Sequence, residues 1–109
     1  MTNEELAKLA ASGGPYRGKA VFELVDRAHS DDDAAIRLDR LSRLPALRED
    51  RAFHLVSLAW AAIIGLLATE TSHARARAYA AFEALARTEQ TDFLAYVRAE
   101  RIEDAHPRI

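Results

Sequence analysis

Ala52-Phe53-His54-Leu55-Val56-Ser57-Leu58-Ala59-Trp60-Ala61-Ala62-Ile63-Ile64-Gly65-Leu66-Leu67-Ala68-Thr69 runs for 18 residues without an Asp, Glu, Lys or Arg. Read as a helix, it is roughly 27 Å long, comparable to a small domain or a bilayer core. On a wheel of about 100° per residue, Phe53, Val56, Trp60, Ile63, Ile64 and Leu67 fall on one arc, and Leu55, Leu58 and Leu66 on another. A strip of His54, Ser57, Ala61, Gly65 and Ala68 lies between them, with Ser57, Ala61 and Gly65 four residues apart. Small side chains at that spacing let a second helix backbone come close. Glycine inside a helix costs about 1 kcal/mol against alanine, so a close contact would account for Gly65.

A helix that is apolar all round must be surrounded. Other helices of the chain can enclose it. Alternatively, a symmetry mate covers one side, along a seam of Ser57, Trp60, Ala61, Ile63, Gly65, Leu67 and Ala68. Lipid is the poorest cover, because the run is at the lower length limit and holds His54, Ser57 and five alanines. Its flanks, Arg48-Glu49-Asp50-Arg51 and Glu70, His73 and Arg75, show no positive-inside bias. No membrane partner is expected.

Working outward, Thr2 and Glu5 fit a capping box opening a first helix with Leu6, Leu9 and Ala10, which Ser12-Gly13-Gly14-Pro15 ends. A second helix is predicted over Arg17–His29. Ser30 caps a third, whose first turn holds Asp31, Asp32 and Asp33 and whose later turns carry Arg37, Arg40 and Arg43, matching the helix dipole; Pro45 stops it. Thr71 or Ser72 opens a fifth helix running to about Arg87. Thr88-Glu89-Gln90-Thr91 separates it from a sixth, Asp92 to about Asp104, though no glycine or proline enforces that break. The expected fold is all-α: one domain over residues 1–109, with about five to six helices around a long apolar helix at about residues 46–69.

Composition agrees. Twenty-three of 109 residues are alanine and only 7% are aromatic, which favours helices over strands. A chain of this mass buries about two-thirds of its extended surface, enough for one core. There is no cysteine, which excludes disulfides, thiolate metal sites and cysteine nucleophiles. The net charge of −2 supplies no general field for nucleic acid or anionic membranes. The acidic start Met1-Thr2-Asn3-Glu4-Glu5 lacks the features of a secretory signal, so a cytoplasmic location is expected.

Four constellations bear on chemistry. Asp26-x-x-His29 and Glu70-x-x-His73 each place a carboxylate and an imidazole on one helical face, as in di-metal bundles. Both fall at helix ends, without further inward glutamates, so solvated residues are the better reading and no metal is assigned. His54, with Asp50 one helical turn before it, has the spacing of an oriented general base. A structural histidine fits equally, since no nucleophile elbow, phosphate loop or metal cluster accompanies it. The fourth is the Asp31–Asp33 run, which capping explains without a ligand.

Residues 3–29 loosely resemble a helix-turn-helix, with Arg17 and Lys19 at the start of the second helix, although the turn is long and contains Pro15. The densest basic stretch, residues 31–51, sets five arginines against six acidic residues and reads as a solvated, salt-bridged face. In size, alanine content and lack of a catalytic set, the chain is similar in class to bacterial helical adaptors, immunity proteins and antitoxin-like regulators. Contact with a second copy or with another protein is the expected function, without catalysis or a cofactor. DNA binding through residues 3–29, and small-ligand or metal binding through His54 or the two carboxylate–histidine pairs, are the alternatives.

Overall fold

The computed structural model describes residues 1–53 and 55–107. In chain order these form α1 (Asn3–Ser12), α2 (Arg17–Ala28), α3 (Asp32–Ser42), α4 (Pro45–Glu49), β1 (Arg51–Phe53), β2 (Val56–Ser57), α5 (Leu58–Ala68), α6 (Ser72–Glu83), α7 (Arg87–Val97) and a 3-10 turn (Ile102–Asp104). The fold is the all-α bundle the composition predicts.

Capping sets most of the helix starts. Thr2 Oγ1 accepts the Glu5 N–H at 3.1 Å while Glu5 Oε1 accepts the Thr2 N–H at 2.9 Å, a complete capping box. Asp31, one residue after the expected Ser30, caps α3 by accepting the Asp33 N–H at 3.0 Å. Thr71 caps α6. The α1–α2 turn uses Gly13 and Gly14 at φ +83° and +105°, backbone that side chains strain. Pro45 lies beyond the end of α3 and opens α4 at its first position, where its missing N–H costs nothing.

The central helix departs from the expected 46–69. Its first part is instead α4 and an antiparallel hairpin pairing Arg51 with Ser57 and Phe53 with Val56. Arg51 donates to the Leu55 carbonyl at 2.9 Å and the Leu58 N–H to the Asp50 carbonyl at 2.8 Å, closing the hairpin onto α5. Lack of charge does not distinguish helix from strand. Phe53 and Val56 suit a strand, whereas Ser57 suits a cap, and its hydroxyl accepts the Trp60 N–H at 3.0 Å.

Eleven residues of α5 extend only about 16 Å, a length that short neighbours can cover. α2, α3, α4 and α6 pack around it, and Leu58 through Leu67 are all buried. Every α-helix contributes to a single apolar cluster. Among the described residues no helix is long and apolar enough to cross a membrane.

The α6–α7 break falls at Ala84–Ala86 rather than at Thr88–Thr91, which lies inside α7. Gln90 explains the shift: its side-chain amide donates to the carbonyls of Glu83 (3.3 Å) and Leu85 (3.0 Å), satisfying groups the end of α6 leaves open. The C-terminal segment is held by buried Arg75, which donates to the carbonyls of Leu67 at 3.1 Å, Glu103 at 3.1 Å and Ala105 at 3.0 Å. Among the described residues no buried side-chain polar atom lacks a partner.

Candidate functional site

Apart from His54, which lies outside the described residues, the small-residue strip is largely internal. Ile63 and Leu67 are fully buried, Ser57, Trp60, Ala61 and Gly65 are buried, and only Ala68 is half-buried. The close approach expected at Gly65 is made by Val25 of α2 in the same chain. Most of these residues thus face the chain's own helices, because the hairpin shortens the rod that needed covering, while Ser57 and Trp60 also line a cleft between the hairpin and α7.

The Asp50–His54 pairing depended on helical spacing, and residues 51–53 are a strand. Asp50 faces Arg17 instead, at 3.3 Å, and His54 lies outside the described residues. Asp26, His29 and His73 are exposed. Glu70 turns to His106 at 3.0 Å and Arg75 at 3.8 Å, and the hydrogen bond from His106 is the main cause holding its carboxyl below the ordinary value. Among the described residues no three His, Asp or Glu side chains gather to hold a metal.

Arg17 is spent inside the fold. Its guanidinium donates to the carbonyls of Ala10 at 2.7 Å and Ala11 at 3.3 Å, closing the end of α1. Lys19 is exposed, its ammonium 5.8 Å from the Tyr16 ring centroid. One of the two cations singled out for nucleic acid thus has an internal task.

A site absent from the sequence reading lies where the hairpin faces α7. Here an open cleft of about 640 Å³ is floored by Trp60, Ala95 and Tyr96, with Leu55 at its mouth. Arg48, Arg51, Glu89 and Asp92 supply its charged lining. Glu89, Asp92 and Tyr96 share a face of α7 through their spacing of three and four residues.

The floor is rigidly set. Trp60 meets Phe93 edge to face, with centroids 5.2 Å apart at 77°, and Phe93 meets Phe82 at 5.7 Å. The Trp60 indole N–H donates to Glu89 Oε2 at 2.8 Å, and Arg48 donates to Glu89 Oε1 at 2.6 Å. Both Glu89 oxygens are engaged, and the Ser57 hydroxyl is committed to its cap. Leu55 is 74% exposed and Tyr96 44%, beside the exposed Arg51 and Asp92. In sequence the cleft's traces were the single tryptophan and the Glu89/Asp92/Tyr96 spacing, hidden because residues 88–91 read as a break.

Compared with known proteins, the chain matches no protein-family model, no curated protein and no solved structure.

Proposed function

We propose that this chain is a non-catalytic module that works by contact with another protein chain, and that its contact surface is the cleft between the hairpin and α7. The observation that carries this reading is Leu55, an aliphatic side chain 74% exposed at the mouth of a hollow floored by Trp60 and Tyr96. Exposed apolar groups gathered within a charged rim have the composition of an interface centre, where aromatic anchors supply most of the affinity. The ion-paired Arg48 and Glu89 hold the floor in place before any partner arrives, which lowers the ordering cost of binding.

A photo-crosslinking residue at position 55, with the exposed Phe22 position of α2 as control, tests this in the cells that make the protein. Discrete protein adducts from position 55 that Tyr96→Ala abolishes, and that position 22 does not give, are expected. The same diffuse pattern from both positions would remove the cleft as a contact site.

A further inference from the structure

We infer that α7 is a lid: a helix that opens as one unit while the rest of the bundle stays folded, uncovering an apolar socket of Trp60 and Phe82 that Phe93 fills in the closed form. The inference goes beyond the contact reading and holds whether or not a partner occupies the cleft.

Alone, α7 is a weak helix. Its eleven residues fall short of the roughly 12–15 at which an isolated helix becomes even marginal in water. Two threonines, an aspartate, two aromatic residues and a valine stand among them, all poorer helix formers than alanine or leucine. Ala86 at its start offers no side-chain cap, and Arg98 at its end sits in the left-handed region. The helix therefore depends on being docked.

The docking is narrow. Among the side chains of α7 only Phe93 is buried, whereas Leu58 through Leu67 of α5 all are. α1, α2, α3, α5 and α6 pack directly on one another, and α7 shares no comparable seam with any of them. Two attachments hold it. The Phe93 ring meets Trp60 and Phe82 edge to face, and Glu89 accepts from Arg48 and from the Trp60 indole, with half-buried Leu94 and Val97 packed alongside.

The chain on either side is anchored separately. Leu85 is buried before α7, and Ile102 and Ala105 are buried after it, where Arg75 binds the Ala105 carbonyl. Released between these anchors, α7 leaves α5 still enclosed by α2, α3, α4 and α6. Trp60 and Phe82, only 8% and 4% exposed in the closed form, then lose the ring that covers them, and the cleft loses one wall. How firmly Phe93 and Glu89 hold the lid thus sets how often the socket is open, and with it the apparent affinity of anything that binds there.

Native-state hydrogen exchange, read amide by amide where reclosing outpaces exchange, tests the lid. The amides of residues 91–97 are expected to exchange together, at least about 100-fold faster than those of α5, as a separate low-stability unit does. Val25→Ala cuts into the α2–α5 seam at Gly65 and weakens the closed and the lid-open forms alike. It should quicken exchange in α5 about tenfold or more and leave α7 within about twofold of the wild type. Phe93→Ala should strip α7 of protection while the amides of α2, α3 and α5 keep theirs. If that variant fails to fold, the wild type and Val25→Ala decide. Amides of α7 as slow as those of α5, or equal acceleration of both helices by Val25→Ala, would show that α7 opens only with the whole molecule and overturn the lid. A folded Phe93→Ala protein with α7 still protected would overturn it as well.

Discussion

Gly65 of α5 lies against Val25 of α2 so closely that a β-carbon built on the glycine would stand 2.6 Å from Val25 Cγ2, 2.7 Å from Cγ1 and 3.2 Å from Cβ. Val25 is buried and β-branched, with little freedom to turn aside. The missing side chain at position 65 thus sets how near α2 approaches the central helix, and the contact lies within one chain.

Gly65→Ala should therefore destabilise the fold. Overpacking costs about 1–3 kcal/mol, against the roughly 1 kcal/mol that alanine gains over glycine in a helix, for a net loss of up to about 2 kcal/mol. In a Val25→Ala background the penalty should vanish, and denaturant unfolding of the four proteins in a double-mutant cycle measures the coupling. Simple additivity of the two substitutions would mean that Val25 is not what Gly65 accommodates.

Arg75 joins three pieces of chain by donating to the carbonyls of Leu67, Glu103 and Ala105. Arg75→Met keeps the apolar stem and takes the arginine donor from the Glu103 and Ala105 carbonyls, while the Leu67 carbonyl keeps the Glu70 N–H at 3.3 Å. A loss of about 2–4 kcal/mol is expected, each unsatisfied buried group costing about 1–3 kcal/mol, with some recovered by water. Hydrogen exchange should accelerate most around residues 102–105, where the Ala105 N–H bonds the Ile102 carbonyl. Protection there equal to that of the wild type would show that the arginine does not hold the C-terminal segment.

Helix starts were legible at Thr2 and Thr71, where a short polar side chain bonds its own neighbours, but Ser57 makes the same bond at the start of α5 and stood inside the run read as one helix. The hairpin was not legible, because Ala52–Ser57 differs from Leu58–Ala68 only in which uncharged residues it holds, and helix and strand both bury such residues. The cleft failed for a related reason. Trp60 and Glu89 stand 29 positions apart and meet only once α4, α5 and α7 have packed, and no local pattern announces a contact of that range. Gly65 was rightly read as a point of close approach, but spacing alone names no partner.

Arg98 ends α7 in the left-handed region, at φ +57°. A residue with a β-carbon pays about 1 kcal/mol or more there, and glycine pays almost nothing. Arg98→Gly should stabilise the protein by about 0.5–1 kcal/mol, part of the gain being lost to the freer unfolded chain. Thermal unfolding measures the change. A lower melting temperature would point to a stabilising contact made by the arginine side chain.

The Glu70 carboxyl lies below its ordinary value of 4.5, first because of the hydrogen bond from His106 and then because of the charges of His106 and Arg75. A carboxyl with a depressed pKa in the folded state stabilises the protein above its ordinary value, and that contribution disappears as the pH falls through the lowered one. The wild type should therefore lose stability on acidification below about pH 4.5 more steeply than Glu70→Gln. Denaturant midpoints measured across that range compare the two. Parallel pH profiles would show that the Glu70–His106 contact contributes nothing in solution.

Trp60→Phe removes the indole N–H and its bond to Glu89 while keeping an aromatic ring against Phe93. Glu89 retains Arg48 and is half-buried, so water can replace the lost donor and the cost should be only about 1–2 kcal/mol. Trp60→Ala, which also empties the floor, should cost about 3–5 kcal/mol. Trp60 is the single tryptophan, so its emission reports on the cleft directly. Covering the cleft removes the water that still reaches the edge of the indole, so the wild-type emission should shift to shorter wavelength as a partner chain binds, in step with the change in mass. Leu55→Asp, placed where the side chain makes no core contact, should suppress both changes without lowering stability by more than about 0.5 kcal/mol. Association that leaves the emission of Trp60 untouched would place the contact surface elsewhere on the molecule.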